Sequence, residues 1–280
     1  MDLTCRTIQN RGDLATQALP TLPSPHVKGL ADRVNIRSLE DIRPAAEALH
    51  EIALSLGRLR TAASANIASK EPMVDAQGQL LATEVFGWGA QGPRWWENSR
   101  LALTSPLTIA CRYESEPFWC NGHGIHLRQY NPHIAALDLA DFCKRAMTEA
   151  AIVIPIHLPF GQIAAVSFNP IEPERVDLSV EFSEHSDTLD LCARRFICGY
   201  VKVVDKHRWI KADVRLSKRE VECLHWAALG KTDDEIARIL ARSCATVRFH
   251  IHNAAIKLNA VNRSQTVFKA SQLGYLGLDT

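Results

Sequence analysis

The sequence predicts two units of different class: an α+β domain of three layers, α/β/α, followed by an all-α helix-turn-helix. Three observations predict this. Two Ser/Thr-x-x-Glu signatures, Ser217 with Glu220 and Thr232 with Glu235, stand near the end of the chain beside a very short turn. Two apolar, β-branched runs, 151–158 and 162–168, flank Pro159-Phe160-Gly161 and lie between helical stretches. Charge is uneven: residues 206–280 hold 13 Lys+Arg and 7 Asp+Glu, which leaves 19 and 24 for the rest, so a +6 end follows a −5 body. A length of 280 residues with 46% hydrophobic content suits two domains, each with its own core.

Residues 1–35 are weakly patterned, and Pro20, Pro23 and Pro25 argue for a flexible arm without a helix. Ser38 reads as the cap of a helix running to Gly57, whose stripe Leu39, Ile42, Ala46, Leu49, Ala53 and Leu56 would cover a sheet. Short strands are expected at 65–69 and 73–74, a turn at 75–78, a loop at 87–93 and a helix over 94–103. The β-branched run 107–113 predicts a strand, 114–124 a loop, and 136–148 a helix. The runs on either side of Pro159–Gly161 predict a hairpin, with Pro155 marking an edge or a bulge. A helix over 178–204 has an apolar face broader than one sheet face needs, which fits either a dimer helix or an internal core helix. The polar stretch 206–213 serves as linker. The expected division is an arm at 1–35, a ligand-sensing and dimerisation domain at 36–204, a linker at 205–214 and a DNA-binding domain at 215–280.

In that last domain the capping boxes fix two helix starts, and Gly230 ends the first helix. Helices are expected over 218–229, 233–240 and 244–258, the last two joined by Ala241-Arg242-Ser243. Val247, His250, Ile251, Ala254 and Leu258 share one face and should pack on Val221, Leu224, Ile236, Ile239 and Leu240. The outer face carries Ala245, Arg248, Phe249 and His252. A second helix of such a pair reads the DNA major groove with its N-terminal residues. Arg248 is the candidate for a guanine edge or a nearby phosphate, with Arg242, Thr246 and Lys257 on phosphate and Phe249 and His252 beside it. A basic end favours the phosphate backbone.

These residues carry a resemblance. Leu216-Ser-Lys-Arg-Glu220, Gly230-Lys-Thr-Asp-Asp-Glu-Ile-Ala237, Thr246-Val-Arg-Phe-His250 and Lys257-Leu-Asn-Ala-Val-Asn-Arg-Ser-Gln265 resemble the helix-turn-helix of LuxR-family regulators, quorum-sensing branch, over about sixty residues. Val153-Ile-Pro-Ile-His157 and the strand after Gly161 resemble that family's autoinducer-binding half, a GAF/PAS-like sensor domain. The resemblance implies a pocket for a small apolar signal, an acyl-homoserine lactone or a relative, lined here by Trp95, Trp96, Ser105, Tyr113, Phe118, Trp119 and Ile154. Where the family has an Asp that accepts the ligand's amide N–H, this chain has Ser105, a weaker acceptor. The implied protein is a dimeric transcriptional regulator. Its partners are double-stranded DNA, a second copy, a small-molecule autoinducer and, as a further candidate, RNA polymerase. The alternative is a constitutive DNA-binding regulator whose N-terminal half only mediates dimerisation.

Other chemistries fare worse. Cys120, His123 and His126 have zinc-compatible spacing, but a Gly/Asn-rich loop with solvated histidines accounts for them, so no metal and no cofactor are expected. The alternation of Glu114 and Glu116 is common on surface segments, and no enzyme is expected. Eight scattered cysteines, no signal-peptide pattern and no spanning apolar run predict a cytoplasmic chain with no membrane contact.

Overall fold

The computed structural model describes residues 25–69, 71–89, 103–204 and 215–277. Helix α1 (Pro25–Arg33) and helix α2 (Ile42–Gly57) come first. The expected arm thus already holds a helix, with Pro25 in its first turn, where its missing N–H costs no bond. Residues 1–24 lie outside the described residues. Ahead of α2, the Asp41 carboxylate accepts the Ser38 and Arg37 N–H groups at 2.8 and 2.9 Å. These backbone bonds hold its pKa below the usual carboxylate range.

Arg58 turns at φ 53° into strand β1 (Leu59–Ser64), upstream of the segments expected to be strands. Its alanines are poor strand formers. Six paired positions against a later strand, from Leu59↔Pro170 to Ser64↔Ala165, supply what propensity lacks. Val74 makes only an isolated bridge to Leu80, and 75–78 is the expected turn, closed by Gly78 N–H to Asp75 O at 3.0 Å. A short helix α3 (Leu81–Glu84) follows. The helix expected over 94–103 falls almost wholly outside the described residues.

Three expectations fail between 106 and 148. Residues Pro106–Tyr113 form helix α4, not a strand: Pro106 opens it, and Ile109 N–H to Ser105 O at 3.0 Å and Glu114 N–H to Ala110 O at 2.9 Å are helical bonds at its two ends. The expected loop contains a hairpin, β2 (Phe118–Asn121) and β3 (Gly124–His126), closed by Asn121 Oδ1 accepting from His123 N at 2.8 Å and Gly124 N at 3.2 Å. Of the expected helix over 136–148 only α6 (Phe142–Ala146) forms, and a short α5 (Pro132–Ala135) precedes it. Asp138 Oδ1 accepts Ala140 N–H at 2.9 Å, and the Arg145 guanidinium donates to Asp138 O, Asp138 Oδ2 and Ala140 O at 2.9–3.1 Å. Side-chain bonds to the backbone out-compete the helix here.

Strands β4 (Ala150–His157) and β5 (Ile163–Pro170) form the expected hairpin. The five strands run in the order β1-β5-β4-β2-β3, all antiparallel. Pro155 therefore sits in an interior strand. It is tolerated because β2 pairs β4 only as far as Val153, so beyond that point β4 has one strand neighbour, β5.

Alternation along the strands separates two clusters. Ile152, Ile154, Ile156, Ala164, Val166 and Phe168 face α1, α2 and the long helix α7 (Ser179–Val204) in the larger one. Phe118, Cys120, Ala151 and Val153 face α4, α5 and α6 in the smaller. This is the α/β/α sandwich that the sequence predicts. The breadth of α7 is used inside the domain: Leu189, Cys192, Ala193, Phe196, Ile197, Tyr200 and Val203 are buried against α1, α2 and the sheet. At Gly199 a Cβ would lie 2.9 Å from Ile36 Cβ and 3.1 Å from Ile36 O, so only glycine admits this approach. The expected linker, 205–214, lies outside the described residues. Among the described residues, no helix is long and apolar enough to cross a membrane.

Candidate nucleic-acid interface

After the linker come α8 (Lys218–Ala228), α9 (Asp233–Ile239), α10 (Cys244–Lys257) and α11 (Arg263–Gln272). The first three end within a residue of expectation. The fourth was missed, although Asn262-x-x-Gln265 marks its start: Asn262 Oδ1 accepts Gln265 N–H at 2.8 Å. Both predicted capping boxes are reciprocal. Ser217 N–H donates to Glu220 Oε2 at 2.7 Å and Glu220 N–H to Ser217 Oγ at 3.3 Å. For Thr232 and Glu235 the same bonds are 2.7 and 3.4 Å. Gly230, at φ 80°, ends α8, with Lys231 N–H bonded to Trp226 O at 3.0 Å. After α9 an alanine takes the same role: Ala241 stands at φ 51°, and Arg242 N–H reaches Ala237 O at 2.9 Å. Ser243 then caps α10 through Thr246 N–H at 3.1 Å.

Helix α10 buries Val247, Ile251 and Ala254, followed by Leu258, against Cys223, Leu224, Ile236 and Ala270. Two predicted members of this core differ. Ile239 is 44% exposed, since it lies at the end of α9 on the outer side, and His250 is only half-buried. The opposite face leaves Ala245, Arg248, Phe249 and His252 exposed, as the spacing requires, and Arg242 is exposed in the turn before the helix. Arg248 keeps 70% of its side chain in solvent and donates from Nε to Asp233 Oδ2 at 3.2 Å. Thr246 is half-buried, and its hydroxyl is shared with Ser243 Oγ at 2.8 Å. Lys257, expected on phosphate, is 40% exposed and engaged within the protein. Its ammonium donates to Glu220 Oε2 at 2.8 Å, and the Glu220 side chain is only 5% exposed. A buried carboxylate needs a partner, and Lys257 is that partner. Sequence reasoning also missed Asp233 and Arg263, which bond one another while Arg263 Nη2 donates to Lys231 O at 2.6 Å. Both residues stand inside the quoted motif, in Gly-Lys-Thr-Asp and Asn-Arg.

The predicted ligand residues do not converge. Trp95 and Trp96 lie outside the described residues. Phe118 is buried in the smaller cluster, whereas Trp119 and Ile154 belong to the larger one across the sheet. Adjacent strand residues point to opposite faces, so Phe118 and Trp119 cannot line one cavity. Tyr113 is 51% exposed and stacks on His133. Ser105 precedes α4; its hydroxyl is buried without a partner among the described residues. Nor do the zinc-spaced residues meet. Cys120 is buried, its thiol pushed well above its usual range by burial and turned toward Ala151 O at 3.7 Å, while His126 stacks on Trp119.

Residues 214–270 match the model of bacterial regulatory proteins, luxR family. The four-helix unit is similar to the domain of that family. Similar proteins include the transcriptional activator protein VanR of Vibrio anguillarum, 38% identical over 128 residues, 46% of this chain and 52% of that one. The quorum sensing-dependent transcriptional regulator VjbR of Brucella abortus is 51% identical over 63 residues, 22% of this chain and 24% of that one. At best the chain spans about half the length of these relatives. The solved structure of Escherichia coli SdiA is 19% identical, covers 89% of this chain and 97% of its own, and has a TM-score of 0.46.

Proposed function

We propose that the chain is a non-enzymatic, cytoplasmic transcriptional regulator that binds double-stranded DNA as a homodimer, with α10 in the major groove. The observation that carries this reading is the exposed face Arg248, Phe249 and His252 on the second helix of a LuxR-family helix-turn-helix, with Arg242 exposed in the turn before it. Two copies related by a two-fold axis would meet half-sites about 34 Å apart. RNA polymerase is a further partner in this reading. Fluorescence anisotropy with duplexes from the promoter beside its own gene tests it. Arg248→Ala should weaken specific binding by about 1–3 kcal/mol and relax preference at one base pair. A uniform loss over all sequences would assign Arg248 to phosphate, and no binding at low salt would overturn the reading.

Control by a small apolar signal in the N-terminal domain is the second part of the proposal. It is supported by the similarity to VjbR, a quorum sensing-dependent regulator, and by the buried Ser105 hydroxyl, which has no partner among the described residues. A ligand-independent regulator is favoured instead by the scatter of Phe118, Trp119 and Tyr113 over different surroundings. A thermal shift with acyl-homoserine lactones and with cell extracts separates the two, because a ligand that binds only the folded state raises the midpoint with concentration.

A further inference from the structure

We infer that Asp233 is a positioning residue that aims Arg248 at the duplex; this rests on the DNA-binding reading above. Asp233 is the first residue of α9, directly after the Thr232 cap. Its two carboxylate oxygens are divided between two arginines. Oδ1 takes Nη1 of Arg263 from α11, and Oδ2 takes Nε of Arg248 from α10 at 3.2 Å. Arg263 is held in turn by Lys231 O at 2.6 Å.

Side-chain exposure is lowest at Asp233, 23%, against 37% at Arg263 and 70% at Arg248. The inner end is anchored and the outer end faces solvent. The bond to Arg248 uses Nε, which leaves both Nη groups, the fork that matches guanine O6 and N7. A guanidinium fixed before contact loses less rotamer freedom on binding than a free one. The Asp233 carboxylate also opposes phosphate. It therefore weakens sequence-independent attraction while holding the group that reads sequence. Asp233 acts on discrimination, not on raw affinity.

The test uses the full chain and duplexes selected from a randomised pool. Affinity for a selected duplex and for a scrambled one is measured by anisotropy over a salt series. Asp233→Ala is expected to tighten binding to the scrambled duplex, to lower the selected-to-scrambled ratio about tenfold, and to steepen the salt dependence by about one phosphate contact. Asp233→Glu should recover part of the ratio. Arg263→Met removes the anchor but keeps the Asp233–Arg248 pair, so it should lower thermal stability with a smaller change in ratio. If Asp233→Ala is not folded by circular dichroism, Asp233→Asn, which is isosteric and uncharged, replaces it. An unchanged ratio in a folded Asp233 variant, or equal loss on both duplexes, would overturn this inference while leaving DNA binding intact. A wild-type chain that ignores both duplexes overturns the parent reading instead.

Discussion

At the scale of single residues, Glu220 performs two tasks with one oxygen. Oε2 closes the capping box on Ser217 and receives the Lys257 ammonium. Burial of the carboxyl works against its ionisation, but the bonds from Lys257 and Ser217 outweigh it and hold the pKa below the ordinary glutamate range. The folded state thus holds this proton less tightly than the unfolded chain. The stabilisation is complete above the unfolded value, near 4.5, and is lost as pH falls through the lower folded value. Chemical denaturation between pH 7 and pH 3 should show this loss in the wild type and a flatter profile in Glu220→Gln. Lys257→Met should cost about 1–3 kcal/mol of stability at pH 7, with a smaller effect on DNA affinity. The cap between Ser217 and Glu220 was legible in the sequence because it spans three residues. The pair with Lys257 was not, because it depends on how α8 and α10 cross. Lys257 consequently read as a phosphate contact.

Among the elements, those with signals at their own ends were legible. Helices α8, α9 and α10 have side-chain caps, and the β4–β5 hairpin has its Pro-Phe-Gly turn. Elements fixed by distant partners were misread. Strand β1 exists through β5, and α4 looks β-branched but is opened by Pro106. The segment around Asp138 and Arg145 trades a helix for side-chain bonds. The turn of the helix-turn-helix yields a prediction of its own. Ala241 occupies a left-handed conformation that carries a Cβ penalty of about 1–2 kcal/mol, which glycine does not incur. Ala241→Gly should raise the thermal midpoint, by up to about 1 kcal/mol in stability once the added freedom of the unfolded chain is set against the relief. An unchanged or lower midpoint would mean that the turn is relaxed as it stands.

For the molecule as a whole, the legible part of the candidate site was the DNA face, which one helix presents with a fixed period. The grouping of the aromatics was less legible because it depends on which side of a sheet each one occupies, and Phe118 and Trp119 fell on opposite sides. The two sides differ in weight. Leu49, buried at 0% exposure in the larger cluster, should lose about 2–5 kcal/mol on replacement by alanine, read from urea midpoints. Phe118→Leu in the smaller cluster should cost under about 1.5 kcal/mol and act on any ligand response instead. Strands β4 and β5 thus work as a party wall between two tenants. Residues lodged beside α4 and α6 can be exchanged at little cost while those beside α2 and α7 keep the house standing, so the smaller room can be refurnished without relearning how to fold.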